Sequence, residues 1–186
     1  MADPVLREIV VVPPVPALLP EHASLVDPVA ELRVAVDPAV AALRAAGGPV
    51  GVLGSPASHP VARHLLDGVA HAPYDAERPD PTTTGLLVLA NGTATRTEKA
   101  PGHLDERAEA FDARVGAALA AADGAALAAL DTDLATALWA EVGPLTTLGR
   151  LLVEGLGSGP NGWRAAVTYE DAPFGVQYWV VRFTPA

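Results

Sequence analysis

Five histidines, no cysteine and a Glu-Asp pair make up most of this chain's capacity for metal or acid–base chemistry. His59 follows an apolar run and the turn residues Gly54-Ser55-Pro56, the kind of strand end at which α/β sheets present ligand-binding side chains. It reads equally as an exposed position opening a helix before Pro60, and that plainer reading is preferred. His64 lies beside Leu65 on the same helix and is expected to be half-buried, while His71 and His103 fall in loops as solvated side chains. Glu170-Asp171 offers carboxylates to a metal or to general-base chemistry. The pair also suits a turn in which Asp171 bonds local amides and Pro173 fixes φ, and the turn is preferred. Arg96 and Lys99 carry the groups that bind carboxylate or phosphate. With Glu98 between them they fit plain surface charge just as well.

Other chemistries lack their residues. Without cysteine there is no disulfide framework and no thiolate metal site, which fits a reducing, cytoplasmic setting. Ser55 and Ser158 lack the Gly-x-Ser-x-Gly elbow of a serine hydrolase. Gly155-Leu156-Gly157-Ser158-Gly159 has the glycines of a dinucleotide loop, but a helix precedes it and a strand comes after, the reverse of that fingerprint. Net charge is −10 and Lys99 is the only lysine, so no basic face exists for nucleic acid or an anionic membrane. No basic leader precedes an apolar run, and no apolar stretch is long enough to span a bilayer.

These side chains need a frame, and the apolar pattern supplies one. The 186 residues, half of them hydrophobic, suit a single domain that buries roughly 70% of its unfolded surface. Ile9–Val12, Val50–Leu53 and Leu86–Ala90 are short apolar runs bounded by Pro, Gly or Asn, as expected of strands covered on both faces. Asp37-Pro38 predicts a helix from Ala39 to Ala46, and His59-Pro60 predicts another through Leu66. Segment 72–84, rich in Pro and Thr, is expected to be a surface loop. From Asp105 the pattern turns helical: Phe111, Val115, Leu119 and Ala122 share a face, and Asp123-Gly124 closes that helix. Asp131-Thr132-Asp133 caps the next, carrying Leu134, Leu138 and Trp139, and Gly143-Pro144 precedes the last, through Leu152. Segments 163–169 and 176–183 form an antiparallel pair around Glu170–Pro173, with Trp179 and Phe183 on one face. The expected fold class is one α/β domain over residues 1–186, with a mostly parallel sheet flanked by helices and a C-terminal antiparallel strand pair.

Four segments, in order, are similar to known sequences. Val12-Pro13-Pro14-Val15-Pro16-Ala17-Leu18-Leu19-Pro20-Glu21 looks like a Pro-His-x-Pro-x-Leu-Leu-x-Pro-Glu opening. The other three are Leu89 to Gly102, Phe111-Asp112 with its alanine-rich helix, and Tyr169-Glu170-Asp171-Ala172-Pro173-Phe174-Gly175-Val176. Together they resemble the class III extradiol ring-cleavage dioxygenases, specifically the subunit-B-like family and its actinobacterial offshoot. The chain is shorter than typical members between its second and third strands.

The resemblance implies a ferrous ion held by two histidines and a carboxylate, with a third histidine as base. It places the first metal histidine at Pro14, the second near Ala57 and the base at Ala94, with Asn91 where an Asp would stand beside the base. None of these residues performs the family's role. His59, Glu170 and His22 are the residues left to rebuild an Fe2+ site, and His22 lies beyond Pro16 and Pro20, well past the expected position. The old base loop leaves Asn91, Thr93, Arg96 and Lys99 as candidate ligand-binding residues. The expected function is therefore a non-catalytic module that binds a small molecule or a protein, without cofactor. The alternative is an Fe(II) dioxygenase with a relocated site. Nucleic acid and membrane are not expected partners, and self-association is left open.

Overall fold

The computed structural model describes residues 6–22, 27–155 and 162–186. Six strands form one sheet: β1 (Glu8–Val12), β2 (Val50–Leu53), β3 (His71–Pro73), β4 (Gly85–Leu89), β5 (Trp163–Asp171) and β6 (Tyr178–Pro185). Their order is β3-β2-β4-β1-β6-β5. The first four run parallel, whereas β6 is antiparallel to β1 and β5 is antiparallel to β6. The three apolar runs are thus neighbouring parallel strands, and the C-terminal pair extends the same sheet, both as the sequence predicts. Glu170 and Asp171, expected in the turn, instead end β5 opposite Trp179 and Tyr178, so the turn is 172–177.

Helices cover both faces. Helix α1 (Ala30–Ala45) and α2 (His59–Leu65) pack on the side of Val10, Val12, Val52, Leu87, Leu89 and Val180. Helices α3 (Ala108–Ala120), α4 (Gly124–Ala128), α5 (Thr132–Ala137) and α6 (Gly143–Val153) lie on the other side, over Ile9, Val11, Leu86, Val88, Val181 and Phe183. Trp179 and Phe183 share that face, as even spacing in a strand requires. Burial on both faces explains why β1, β2 and β4 show no polar alternation. No helix among the described residues is long and apolar enough to cross a membrane.

The structure corrects several local expectations. Helix α1 begins at Ala30, so Pro38 lies inside it and not at its start. Pro38 leaves the carbonyl of Val34 without its helical donor, and both residues are exposed, so water can replace the bond. The buried row Leu32, Val36, Ala39, Val40 and Leu43 then continues through the proline. Residues 71–73 form edge strand β3, so the expected loop is shorter and His71 belongs to the sheet. His64 is exposed. Asp123 accepts a bond from the Ala126 amide and opens α4, while the turn that ends α3 is made by Ala122 at φ 51°. Trp139 lies beyond α5 at φ 57° and faces solvent with 61% of its surface. The glycine run at 156–159 lies outside the described residues.

Candidate functional site

The parallel strands β2, β4 and β1 deliver their C-terminal loops to one end of the sheet, where open α/β sheets place ligands. The chain leaves β1 toward the α1–α2 face and leaves β4 toward the α3–α6 face. The loop after β4 is fixed residue by residue. Asn91 and Glu141 exchange backbone bonds of 3.4 and 3.1 Å, and the Gly92 amide donates to the Gln177 carbonyl at 2.8 Å. A Cβ on Gly92 would stand 2.5 Å from Asp112 Oδ1 and 2.6 Å from the Trp179 ring, so only glycine fits there. The Gln177 amide donates to the Thr93 carbonyl at 2.9 Å.

Asp112 ties this loop to α3. It lies on the inward face of the helix with Ala108, Phe111, Val115 and Leu119, and only 2% of it is exposed. Its Oδ1 accepts from the Thr93 amide at 2.9 Å, and its Oδ2 accepts from Thr93 Oγ1 at 2.7 Å and from Arg96 Nη1 at 3.4 Å. Burial pushes the Asp112 carboxyl above its usual range, and the Thr93 bonds and the Arg96 charge offset that only in part. A cleft of about 280 Å³ opens beside it, lined in part by Arg96, Glu109, Asp112, Glu170, Asp171 and Gln177. Four carboxylates against one guanidinium give this cleft a field that favours a cation. Arg96 is committed to Asp112.

Of the four candidate ligand-binding residues, Thr93 and Arg96 meet at Asp112. Asn91 spends its side-chain amide on the Gly92 carbonyl at 2.8 Å, and Lys99 is exposed with no ion pair among the described residues. Asp112 was not singled out from the sequence, although a carboxylate within the apolar row of a helix is a signal that could have found it. Around the rest of the loop stand residues whose contacts with one another the sequence did not show. The Trp139 ring lies 3.2 Å from where a Gly102 Cβ would be, and a Cβ on Gly175 would meet Ala100 at 2.7 Å. Trp139, Phe174 and His103 hold φ near 60°, a conformation that bulky residues adopt at a cost.

The residues that would rebuild an iron site lie apart. His59 opens α2 just past β2, whereas Glu170 is on β5, four strand spacings away, or roughly 19 Å. Glu170 also faces the α3 side, where it accepts a bond of 3.2 Å from Trp179 Nε1. His22 lies in the short turn Pro20–His22, in a cleft shared with Arg33 and His64. Among the described residues, no three His, Asp or Glu side chains are grouped so as to hold a metal ion. Pro14, Ala57 and Ala94 stand on the loops leaving β1, β2 and β4.

A larger cleft, of about 460 Å³, lies between α2 and the edge strand β3. Val52, Ala62 and Pro73 give it an apolar wall, and His59, Arg63 and His71 are its titratable residues. His71 Nδ1 is 2.8 Å from the Val69 carbonyl, which can only accept, so Nδ1 carries the proton. No protein-family model matches the chain, and no curated protein matches it.

Proposed function

We propose that the chain is a binding module built on an extradiol-dioxygenase-like fold and that it works without iron chemistry. The observation that carries this reading is the separation of the remaining candidate ligands. His59 and Glu170 lie four strands apart and on opposite faces of the sheet, and His22 occupies a third place. A facial triad needs its donors on one ion at about 2.0–2.2 Å. Pro14, Ala57 and Ala94, at the positions that the resemblance gives to histidines, offer no donor nitrogen in their side chains.

What the fold offers a ligand is concave surface at the loop end of a parallel sheet, with polar groups set in apolar walls. Lack of cysteine is in keeping with work in the cytoplasm. An oxygen electrode tests the reading on its catalytic side. Protein preloaded with Fe(II) under anaerobic conditions is given a panel of catechols, and oxygen uptake equal to that of free Fe(II) is expected. Uptake above that level, accompanied by a ring-opened product and lost in His59→Ala, would establish the relocated dioxygenase instead.

A further inference from the structure

We infer that the cleft between α2 and β3 binds a small organic acid, with its carboxylate on Arg63 and its apolar body against the wall formed by Val52, Ala62 and Pro73. This rests on the reading of the chain as a binding module and gives that module a ligand class.

Charge contrast is the first reason. The chain carries 22 acidic residues against 12 Lys and Arg, yet among the described residues no Asp or Glu lines this cleft. The cleft beside Asp112 is the opposite case, with its one guanidinium already committed. Arg63 is exposed, and among the described residues neither its guanidinium nor the His59 ring has a hydrogen-bond or ion-pair partner. An unspent guanidinium at the mouth of an acid-free cleft is a bidentate receptor for a carboxylate.

Shape is the second reason. A volume of about 460 Å³ falls in the range of small-molecule sites. Pro56, Pro60 and Pro73 contribute much of the lining, and their rings have no rotamers to freeze when a ligand docks. The wall is continuous with the core, since Val52 and Ala62 are buried members of the α1–α2 face. Register places His71 opposite Val50 and Pro73 opposite Val52, so both project toward α2.

His71 refines the ligand. With its Nδ1 proton given to the Val69 carbonyl, the neutral ring keeps Nε2 as an acceptor. That atom suits a hydroxyl beside the carboxylate, so a hydroxy acid fits better than the plain acid.

The test uses 2-hydroxy-3-phenylpropanoate, its amide and 3-phenylpropanoate as probes on the whole chain, with binding read from amide NMR shifts. The expected result is saturable binding of the hydroxy acid, with shifts at residues 59–63 and 71–73. The uncharged amide and the Arg63→Met variant should each weaken binding about tenfold or more, the loss expected for a charge-assisted pair. Arg63 is exposed, and an amide spectrum of Arg63→Met that matches the wild type away from residues 59–73 serves as the folding control. Shifts that map elsewhere, equal binding of acid and amide, or an Arg63→Met variant that binds the acid unchanged would each overturn the inference. None of these results depends on iron uptake, so the inference and the iron-free reading fail separately.

Discussion

Replacing Asp112 separates the two roles that its carboxylate plays, as an acceptor and as a buried charge. In Asp112→Ala the Thr93 amide and hydroxyl lose their acceptor in a place where Thr93 is 0% exposed. Each orphaned donor costs about 1–3 kcal/mol, and removing a desolvated carboxylate returns part of that. The net loss is about 2–4 kcal/mol, which lowers Tm by roughly 5–15 °C in a domain of this size. Asp112→Asn keeps the shape and one carbonyl, so it should lose only about 1 kcal/mol at neutral pH. The pH dependence carries the sharper test. Burial holds the folded carboxyl above its ordinary value of 3.8, so the folded chain binds more protons than the unfolded one in the window above that value. Stability from this group is therefore fully present below 3.8 and is lost as pH rises through the folded value. Urea melts across that range should show the wild type losing ground to Asp112→Asn as pH rises. If the wild type gains on Asn instead, the Arg96 pair outweighs desolvation and the reasoning is refuted. A cost below about 0.5 kcal/mol for the Ala variant would show that Asp112 does not hold the loop.

The packing and the titratable groups set three further outcomes. Gly149→Ala should cost about 3 kcal/mol or more in urea unfolding, because its Cβ would meet backbone at Ala128 and, at 2.7 Å, the Gly124 carbonyl. An unchanged midpoint would mean that α4 and α6 are not pressed together there. Phe174→Gly should leave Tm unchanged or raise it by an amount worth about 0.5–1 kcal/mol, since the residue is 61% exposed at φ 60°. A clear loss would show that the ring packs against something. All three tyrosines are pushed up, burial being the largest cause, Tyr74 to about 12, so phenolate absorbance at pH 10 should be lower in the folded chain than in the unfolded one. Each tyrosine ionises first in the unfolded state, so stability should fall as pH climbs above 10.0. Ordinary titration at pH 10 without unfolding would contradict this.

The frame was readable because strands covered on both faces leave unbroken apolar runs, as at Ile9–Val12 and Leu86–Ala90. Edge strand β3 left no such run: only three residues pair, they read His-Ala-Pro, and proline is tolerated only at an edge. The start of α1 was hidden because Pro38 imitates a first-turn proline while standing on the wet side of the helix. The meeting of Thr93 and Arg96 at Asp112 is a contact across 19 and 16 residues, which no local spacing encodes. The cleft of His59, Arg63 and His71 was out of reach for the same reason, since it depends on β3 lying beside β2. Left-handed backbone at Trp139 and Phe174 is likewise imposed by surroundings and not by the residues' own preference.

Whether this fold holds iron is measured most directly as bound metal. The chain is equilibrated anaerobically with Fe(II), passed through a desalting column and assayed for metal per chain, beside His59→Ala and Glu170→Gln. A fold whose candidate ligands stand apart should retain far less than one iron per chain, the same in all three proteins. One tightly held iron in the wild type, lost in both variants, would mean that His59 and Glu170 do meet on a metal, and would contradict the iron-free reading.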